Sequence, residues 1–401
     1  MLKKSSSDQV RRQNSTLVLD ALRRQPALSH TDLSGLTGLA SATVTAITND
    51  LEQAGMIERH EQQHAATRGR PRVLLSRRRS FAAVISVQIS SDNVRYALSD
   101  YRGLLMDRFD ERRPLHATPE HFLEDFARAL LRLIDRSKLQ STAVAALSIS
   151  SKGLVDPEGR RLIWSPVFGN LPIDFSGILS IVPQAQLMIS NETLLVAHGL
   201  VEHMAGKGGN FNGLIALSLG HSIGLGIART LPNGGVEVRA PNFGHMLHVA
   251  DPKLCRCGSR GCVEASAGFY GILRTAFEVP PDTIPARFVP IAEMDRIAQS
   301  ARTGNRMAQY AFRQAGLALG QGLSRVFSLF ETMPVIVTGP GTRYYDLIQR
   351  GLEEGLGQSL QARLDGLPRI DIVSDEATLV YEGHLDRALQ AIDQQVFVGD
   401  G

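Results

Sequence analysis

The sequence predicts a multidomain chain: an N-terminal winged helix-turn-helix head joined to an α/β body in two lobes. Three observations predict it. Between residues 14 and 54 apolar residues recur at helical spacing in three short runs separated by turn signals. Beyond residue 80 apolar strand candidates alternate with amphipathic helices, the pattern of a layered α/β body. At 401 residues the chain is also too long for one ordinary core, so two or three domains are expected.

The head is placed at residues 1–80. From Asn14 to Arg24, Leu17, Val18, Ala21 and Leu22 share one helical face, and Pro26 closes the run. Ser29 stands three residues before Asp32, a short-acid variant of the capping box, and opens a second helix with Leu33 and Leu36 inward. Thr37-Gly38-Leu39-Ala40 forms the turn. A third helix starts at Ser41, read as its N-cap, and buries Val44, Ile47, Leu51 and Ala54 before Gly55 ends it. The candidate DNA contacts on this helix are Ser41, Ala42, Thr43, Thr45, Thr48 and Asn49. Small polar side chains on an exposed helix can reach base edges and thymine methyls in a major groove.

Met56–Arg59 and Val73–Leu75 then read as two short strands flanking a polar tip, the wing. Its tip, Arg68-Gly69-Arg70-Pro71-Arg72, brings Arg68 and Arg70 as candidates for a narrow minor groove, where negative potential concentrates. Charge supports this placement. Residues 1–80 hold thirteen Lys or Arg against seven Asp or Glu, so the head carries +6 and the remaining 321 residues −3. The alternative is a three-helix domain with a solvated hairpin that contacts protein. The coincidence of three helices, wing and basic charge favours double-stranded DNA.

In the body, Phe81–Val87, Ala143–Ile149, Met188–Ser190, Leu214–Leu219 and Val335–Val337 read as buried strands. Pro119–Ser137, Leu194–Met204, Met307–Leu329 and Tyr345–Leu364 read as helices. All three cysteines fall in Cys255-Arg256-Cys257-Gly258-Ser259-Arg260-Gly261-Cys262, with His245 ten residues upstream of the first. Cys255, Cys257, Cys262 and His245 make a Cys₃His set suited to one tetrahedral structural zinc ion, and Gly258 and Gly261 let a short loop wrap it. The alternative is buried free thiols beside a satisfied histidine, against which the clustering of every cysteine in one loop argues.

A hydrophobic content of 43% is globular, and no apolar stretch is long enough to span a bilayer. The N-terminal residues lack the apolar core of a secretory signal, and three clustered cysteines make no even disulfide framework. No membrane association and a cytoplasmic location are expected.

The cysteine loop, read as Gly244-His245 followed by Cys255-x-Cys257-Gly258-x-x-Gly261-Cys262-Val263-Glu264, closely resembles the signature of the ROK family of repressors and sugar kinases. The head with Gly69-Arg70-Pro71 resembles the DNA-binding end of that family's repressors, including those for xylose and N-acetylglucosamine. Ser150-Ser151-Lys152-Gly153-Leu154-Val155-Asp156 is similar to the family's Pro-Gly-x-Val-Asp turn.

The resemblance implies an actin-like ATPase (sugar kinase) fold. Its first lobe would span 81–191, completed by about 375–401, and its second 192–374, with the zinc loop and a dimerisation surface. Where family kinases carry the phosphate loop Asp-x-Gly-Gly-Thr, this chain has Gln88-Ile89-Ser90-Ser91-Asp92. The second loop reads Gly220-His221-Ser222-Ile223-Gly224 in place of Gly-Thr-Gly-x-Gly, and the third glycine run is Gly339-Pro340-Gly341. Positioning and electrostatics do most of the work in phosphoryl transfer. Without those parts no ATP is expected and no enzyme activity.

The sugar-contacting positions of the family fall on Gly153, Asn191, Glu192, Asn242, His245 and Glu264. Glu192 stands where the kinases have their Asp base, and Asn242 where a Glu is usual. The resulting reading is a cytoplasmic repressor, a homodimer or a tetramer, whose operator binding answers a small carbohydrate effector. Two alternatives stay open: an active sugar kinase with a fused DNA-binding head, and a repressor controlled by a protein partner with no sugar ligand.

Overall fold

The protein is described from a computed structural model covering residues 7–61, 73–114, 118–205, 212–232, 235–248 and 253–396. The head comprises α1 (Ser7–Arg24), α2 (His30–Thr37), α3 (Ser41–Gln53) and the antiparallel hairpin of β1 (Ile57–Glu61) and β2 (Val73–Arg77). Ser29 caps α2 through a reciprocal capping box with Asp32, as its spacing predicts, and Gly38 takes the left-handed conformation (φ 70°) that turns the chain into α3.

Several details of the head differ from expectation. In α1 the buried stripe is Ser15, Val18, Leu19 and Leu22, an i, i+3, i+4, i+7 pattern that leaves Leu17 44% exposed. Leu36 of α2 is likewise 55% exposed, because only Leu33 meets the other helices on so short a segment. The N-cap of α3 is Ala40, with extended backbone and no side-chain bond, so Ser41 is already helical. Ala54 is exposed at the C-cap.

The body begins with β3 (Ala83–Ile89), β4 (Asn93–Asp100), β5 (Leu105–Arg112), α4 (Pro119–Arg136), β6 (Val144–Ser151), β7 (Leu154–Val155), β8 (Arg161–Trp164), β9 (Ile173–Asp174) and β10 (Gln186–Asn191). It continues with α5 (Glu192–Ala205), β11 (Gly213–Ser218), β12 (Gly224–Thr230), β13 (Val236–Arg239), α6 (Val263–Ala267), α7 (Phe269–Ala276), α8 (Ile291–Arg302) and α9 (Arg306–Leu329). The chain then forms β14 (Val335–Thr338), α10 (Tyr345–Gly357), α11 (Leu360–Asp365), β15 (Ile370–Ile372) and α12 (Glu376–Val396). Phe81 and Ala143, expected to start strands, sit in 3₁₀ turns just before them. The single helix expected over 345–364 breaks where the Ser359 hydroxyl caps α11.

Two five-stranded sheets form the lobes, ordered β10-β6-β3-β4-β5 and β13-β12-β11-β14-β15, with β7-β8-β9 as a small third sheet. In each large sheet an antiparallel hairpin edge joins strands paired in parallel. Side chains alternate across both. From β3, Ile85, Val87 and Ile89 pack towards α4, while Val84 meets Ala388 and Leu389 of α12. From β11, Ile215 and Leu217 pack with α7, α9 and α10, while Leu214 and Ala216 meet α5. Helices α5 and α12 therefore lie together between the sheets. They cross at backbone contact: a Cβ on Gly199 would lie 2.4 Å from Leu379 O, and one on Gly383 would lie 2.2 Å from Leu195 O.

The head shares its core with the body. Val18, Leu19, Leu22 and Leu75 join Tyr101, Ala146, Ala388, Leu389 and Ile392 in one buried cluster. Beside it Arg77 of β2, 1% exposed, forms an ion pair with Asp393 of α12, which also accepts from the Tyr101 hydroxyl at 2.5 Å. Arg23 of α1 pairs with Asp386 of α12 at 2.8 Å. One helix, about 30 Å long at 1.5 Å per residue, thus runs from the interlobe region to the head.

Candidate functional site

The exposed side of α3 carries Ser41, Ala42, Thr45, Ala46 and Asn49, with Thr43 half-buried. Thr48 is not among them. It is 0% exposed, its hydroxyl donates to Thr45 O and it meets His30 Nε2 at 3.0 Å. Val44, Ile47, Thr48 and Leu51 form the buried i, i+3, i+4, i+7 stripe, and position outweighs polarity there. Arg59 of β1, which sequence reasoning passed over, donates to Asn49 Oδ1 and pairs with Glu52, both at 2.8 Å. It adds a cation beside the exposed face. Arg68 and Arg70 lie outside the described residues.

The cysteine loop brings four donors together. One ligand atom from each of His245, Cys255, Cys257 and Cys262 lies within 4.8 Å of every other. Cys257 Sγ to Cys262 Sγ is 3.7 Å and Cys255 Sγ to His245 Nδ1 is 3.4 Å. A tetrahedron with metal–sulfur bonds of about 2.3 Å has edges of about 3.8 Å, so the donor set fits one metal ion. Gly258 (φ 90°) and Gly261 (φ 75°) take the left-handed turns that their spacing implied.

Electrostatics show how tightly the four groups are coupled. Mutual hydrogen bonding drives the Cys257 thiol far down and the Cys262 thiol far up, as expected where neighbouring sulfurs compete for one negative charge. Burial would lower the His245 imidazole, but its bonds to Cys255 and Cys257 bring it up to about 10. Tyr270 donates to Cys255 Sγ at 3.3 Å, and the buried Arg274 straps the loop by donating to Leu254 O and Pro281 O.

The expected effector residues separate into two spaces. Gly153, Asn191, Asn242, His245 and Glu264 line a pocket of only about 40 Å³. It is crowded by Trp164, whose ring meets His245 edge-on at 4.8 Å between centroids. Within it Asn191 donates to Gly153 O at 2.7 Å and Glu264 accepts from the Ile223 N–H at 3.2 Å. Glu192 instead faces a neighbouring cavity of about 420 Å³ between the lobes, lined also by Lys152, Asp92, His221 and Glu376. Lys152 Nζ stands 3.7 Å from Glu192 Oε1. Burial alone would lower its pKa, but Glu192, Glu376 and Glu264 raise it overall.

The three altered loops meet at this cavity. At the first, the Ser90 N–H is spent on Asn93 O at 2.8 Å, and Arg113 is turned away to the Ser90, Ser91 and Val167 carbonyls. At the second, His221 stacks on Phe288 at 4.7 Å; burial, then Lys152 and Arg256, push its imidazole down to about 3, so it is neutral. At the third, Gly339 approaches Leu219 O so closely that a Cβ would lie 2.5 Å away, and Glu376 Oε1 lies beside it.

Residues 84–369 match the ROK family. The chain belongs to the ROK family. Residues 12–63 match the MarR family, which places a second, independent match on the head. The xylose repressor of Caldicellulosiruptor bescii is 26% identical over 86% of this chain and 87% of its own length. The DNA-binding transcriptional dual regulator NagC of Escherichia coli K12 is 24% identical over 90% and 89%. Among solved structures, a ROK family transcriptional regulator homologous to the E. coli MLC protein superposes with TM-score 0.73 at 21% identity, over 98% of this chain and 100% of that one. A ROK family glucokinase from Streptomyces griseus, solved with glucose and AMPPNP, superposes with TM-score 0.53 at 23% identity, over 77% and 99%. This ROK chain thus pairs a DNA-binding type of head with a body whose fold repressors and kinases share.

Sequence reasoning did not assign Lys152, Trp164 or Glu376 to the ROK pocket. Lys152 had a signal: it occupies the proline position of the family turn. Trp164 had only its uniqueness in the chain, and Glu376 had none, since the fold alone carries the start of α12 to the cavity.

Proposed function

We propose that the chain is a transcriptional repressor whose operator binding, through α3 and the wing, is controlled by a small carbohydrate-class effector held between the lobes. The observation that carries this reading is α12. Its first turn contributes Glu376 to the interlobe cavity, and its later turns hold Arg23 and Arg77 of the head. A ligand that changes how the lobes close would shift this helix against α5, and with it the α1–wing unit. A coupling of about 1–3 kcal/mol would change operator affinity roughly 5- to 150-fold.

The sugar class of the effector is supported by the xylose and N-acetylglucosamine regulators among the curated relatives and by the polar interlobe lining. We assign Ser41, Ala42, Thr43, Thr45 and Asn49, with Arg68 and Arg70 of the wing tip, to DNA. A homodimer would present two such heads to half-sites on one face of a duplex. Phosphoryl transfer is disfavoured by the first loop, whose Ser90 N–H is occupied and whose Asp92 repels phosphate, and by the engagement of Glu192 with Lys152.

His245, Cys255, Cys257 and Cys262 would hold one structural zinc ion, which supplies the positive charge that crowded thiolates require. In that role His245 is held by the loop, and Glu264, two residues after Cys262, is fixed at the pocket wall.

The test is operator binding by the full chain in a titration of sugars, sugar acids and sugar phosphates. A ligand that both raises thermal stability and changes duplex affinity by at least roughly fivefold supports the reading. Coupled-assay phosphorylation of a hexose, abolished by Glu192→Gln, would overturn it. A chain that binds its operator and is unmoved by every carbohydrate would favour control by a protein partner.

A further inference from the structure

We propose that the effector is an amine-bearing polyol, an amino sugar being the representative, and that it binds in the larger interlobe cavity with its ammonium group between Glu192 and Glu376. This rests on the regulator reading above and specifies where its ligand sits and what charge it carries.

Size separates the two spaces first. A buried water needs about 10–15 Å³ of such space, so the pocket of about 40 Å³ beside His245 has room for a few waters but not for a hexose. The adjoining cavity, about 420 Å³, lies in the range of small-molecule sites, about 300–1,000 Å³. Trp164, wedged against His245, helps to close the smaller space.

Charge then selects the ligand. Glu192 is 3% exposed, and among the described residues its Oε2 accepts no hydrogen bond while its Oε1 has only Lys152 at 3.7 Å. Glu376 Oε1 also lacks a well-formed hydrogen bond, with the Ser218 hydroxyl as its neighbour. Among the described residues these two carboxylates have one ammonium between them, and burial, opposed by Lys152 and reinforced by Glu192, raises the Glu376 carboxyl above its usual range. A buried charge is costly unless paired and hydrogen-bonded, so among the described residues an ionised Glu376 lacks a cation of its own, and an incoming ammonium would supply it. At the rim, Asp92 and Asp375 add negative charge, and Arg95 is already held by both oxygens of Asp110 at 3.0 Å.

A phosphate ester finds little to receive it here, since the available cation is shared between two carboxylates and the Ser90 N–H is occupied. A divalent metal would be forced against Lys152. An ammonium group instead completes the second ion pair with its own N–H donors, and Gln88, Asn93 and Ser222 can receive the hydroxyls of a polyol.

The experiment is calorimetric titration of the full chain with D-glucosamine, D-galactosamine, D-mannosamine and 1-amino-1-deoxysorbitol. Their uncharged parents and the 6-phosphates of the amino sugars serve as comparators, with Mg²⁺ alone as a further titrant. At least one amine should bind roughly tenfold or more tighter than its parent and its phosphate, the margin of one charge-assisted hydrogen bond. Glu192→Gln and Glu376→Gln should each remove most of that margin. Lys152→Met, which deletes the competing cation, should tighten amine binding severalfold, a gain that misfolding cannot mimic.

The proposal is overturned if no amine binds, if a parent sugar or a phosphate binds as tightly, if Mg²⁺ occupies the site, or if Lys152→Met weakens amine binding. Duplex binding by the ligand-free chain is measured beside it. If that is intact while amines fail, only this inference falls; if duplex binding itself is absent, the regulator reading falls.

Discussion

Replacing Asp393 by asparagine removes one charge from the junction between head and body and almost no volume. In the parent chain the Asp393 carboxylate accepts from Arg77 and from the Tyr101 hydroxyl, and both Asp393 and Arg77 are only 1% exposed. Arg77 has further acceptors in Leu19 O at 3.3 Å and Tyr101 O at 3.4 Å, but neither carries charge. Breaking a buried pair from one side costs about 3–5 kcal/mol, because the other charge stays buried. Asparagine keeps an acceptor oxygen, so a loss near about 3 kcal/mol is expected, against a total of about 5–15 kcal/mol for a typical native protein. Urea denaturation followed by far-ultraviolet dichroism measures it. The double variant Arg77→Met with Asp393→Leu should recover most of the loss, since apolar replacement of a whole buried pair is often neutral or stabilising. The double variant should still bind its operator yet respond less to the effector. A stability change below about 0.5 kcal/mol in Asp393→Asn, the scale of ordinary surface substitutions, would refute the claim that this pair joins the head to α12.

Elemental analysis of the purified chain should return about one zinc per chain, and Cys257→Ser should lower both zinc content and melting temperature; a metal-free, fully folded chain would contradict the four-donor assignment. Arg70→Ala should weaken duplex binding across sequences and reduce the salt slope by about one, whereas Thr43→Ala should chiefly relax base preference. Burial, then Arg387, push the His384 imidazole from 6.5 down to about 3, between the Ser148 and Ser150 hydroxyls. Between those values the unfolded chain binds a proton that the folded chain does not, so stability should fall as pH falls from 6.5 towards 3, by up to about 1.4 kcal/mol per pH unit. His384→Gln should reduce that slope, the buried His221 supplying a second contribution of the same sign, and equal slopes in the two proteins would exclude His384 as a source.

Much of the fold was legible because the signals are local. The capping box at Ser29 and Asp32, the left-handed turn at Gly38 and the spacing of Val44, Ile47 and Leu51 are short-range facts, and each appears in the structure. The cysteine loop was readable for the same reason, since its turn glycines and three of its donors lie within eight residues. Thr48, Leu17 and Leu36 were misplaced because a side chain's polarity was read ahead of its angular position on its helix. The division of the pocket was out of reach: Lys152 and Trp164 stand twelve positions apart, but Glu376 lies more than two hundred positions further on and reaches the cavity beside Lys152 only once both sheets and α12 are in place. The same holds for Arg77 and Asp393, separated by 316 positions.

Selection of bound sequences from a random duplex pool by the full chain tests the central claim most directly. One enriched motif with two-fold symmetry is expected, its half-sites one helical turn of about 10–10.5 base pairs or a multiple of it apart. Enrichment should weaken when Thr45 and Asn49 on the exposed face of α3 are replaced by alanine. A pool that returns no motif, or a motif untouched by those replacements, would contradict it.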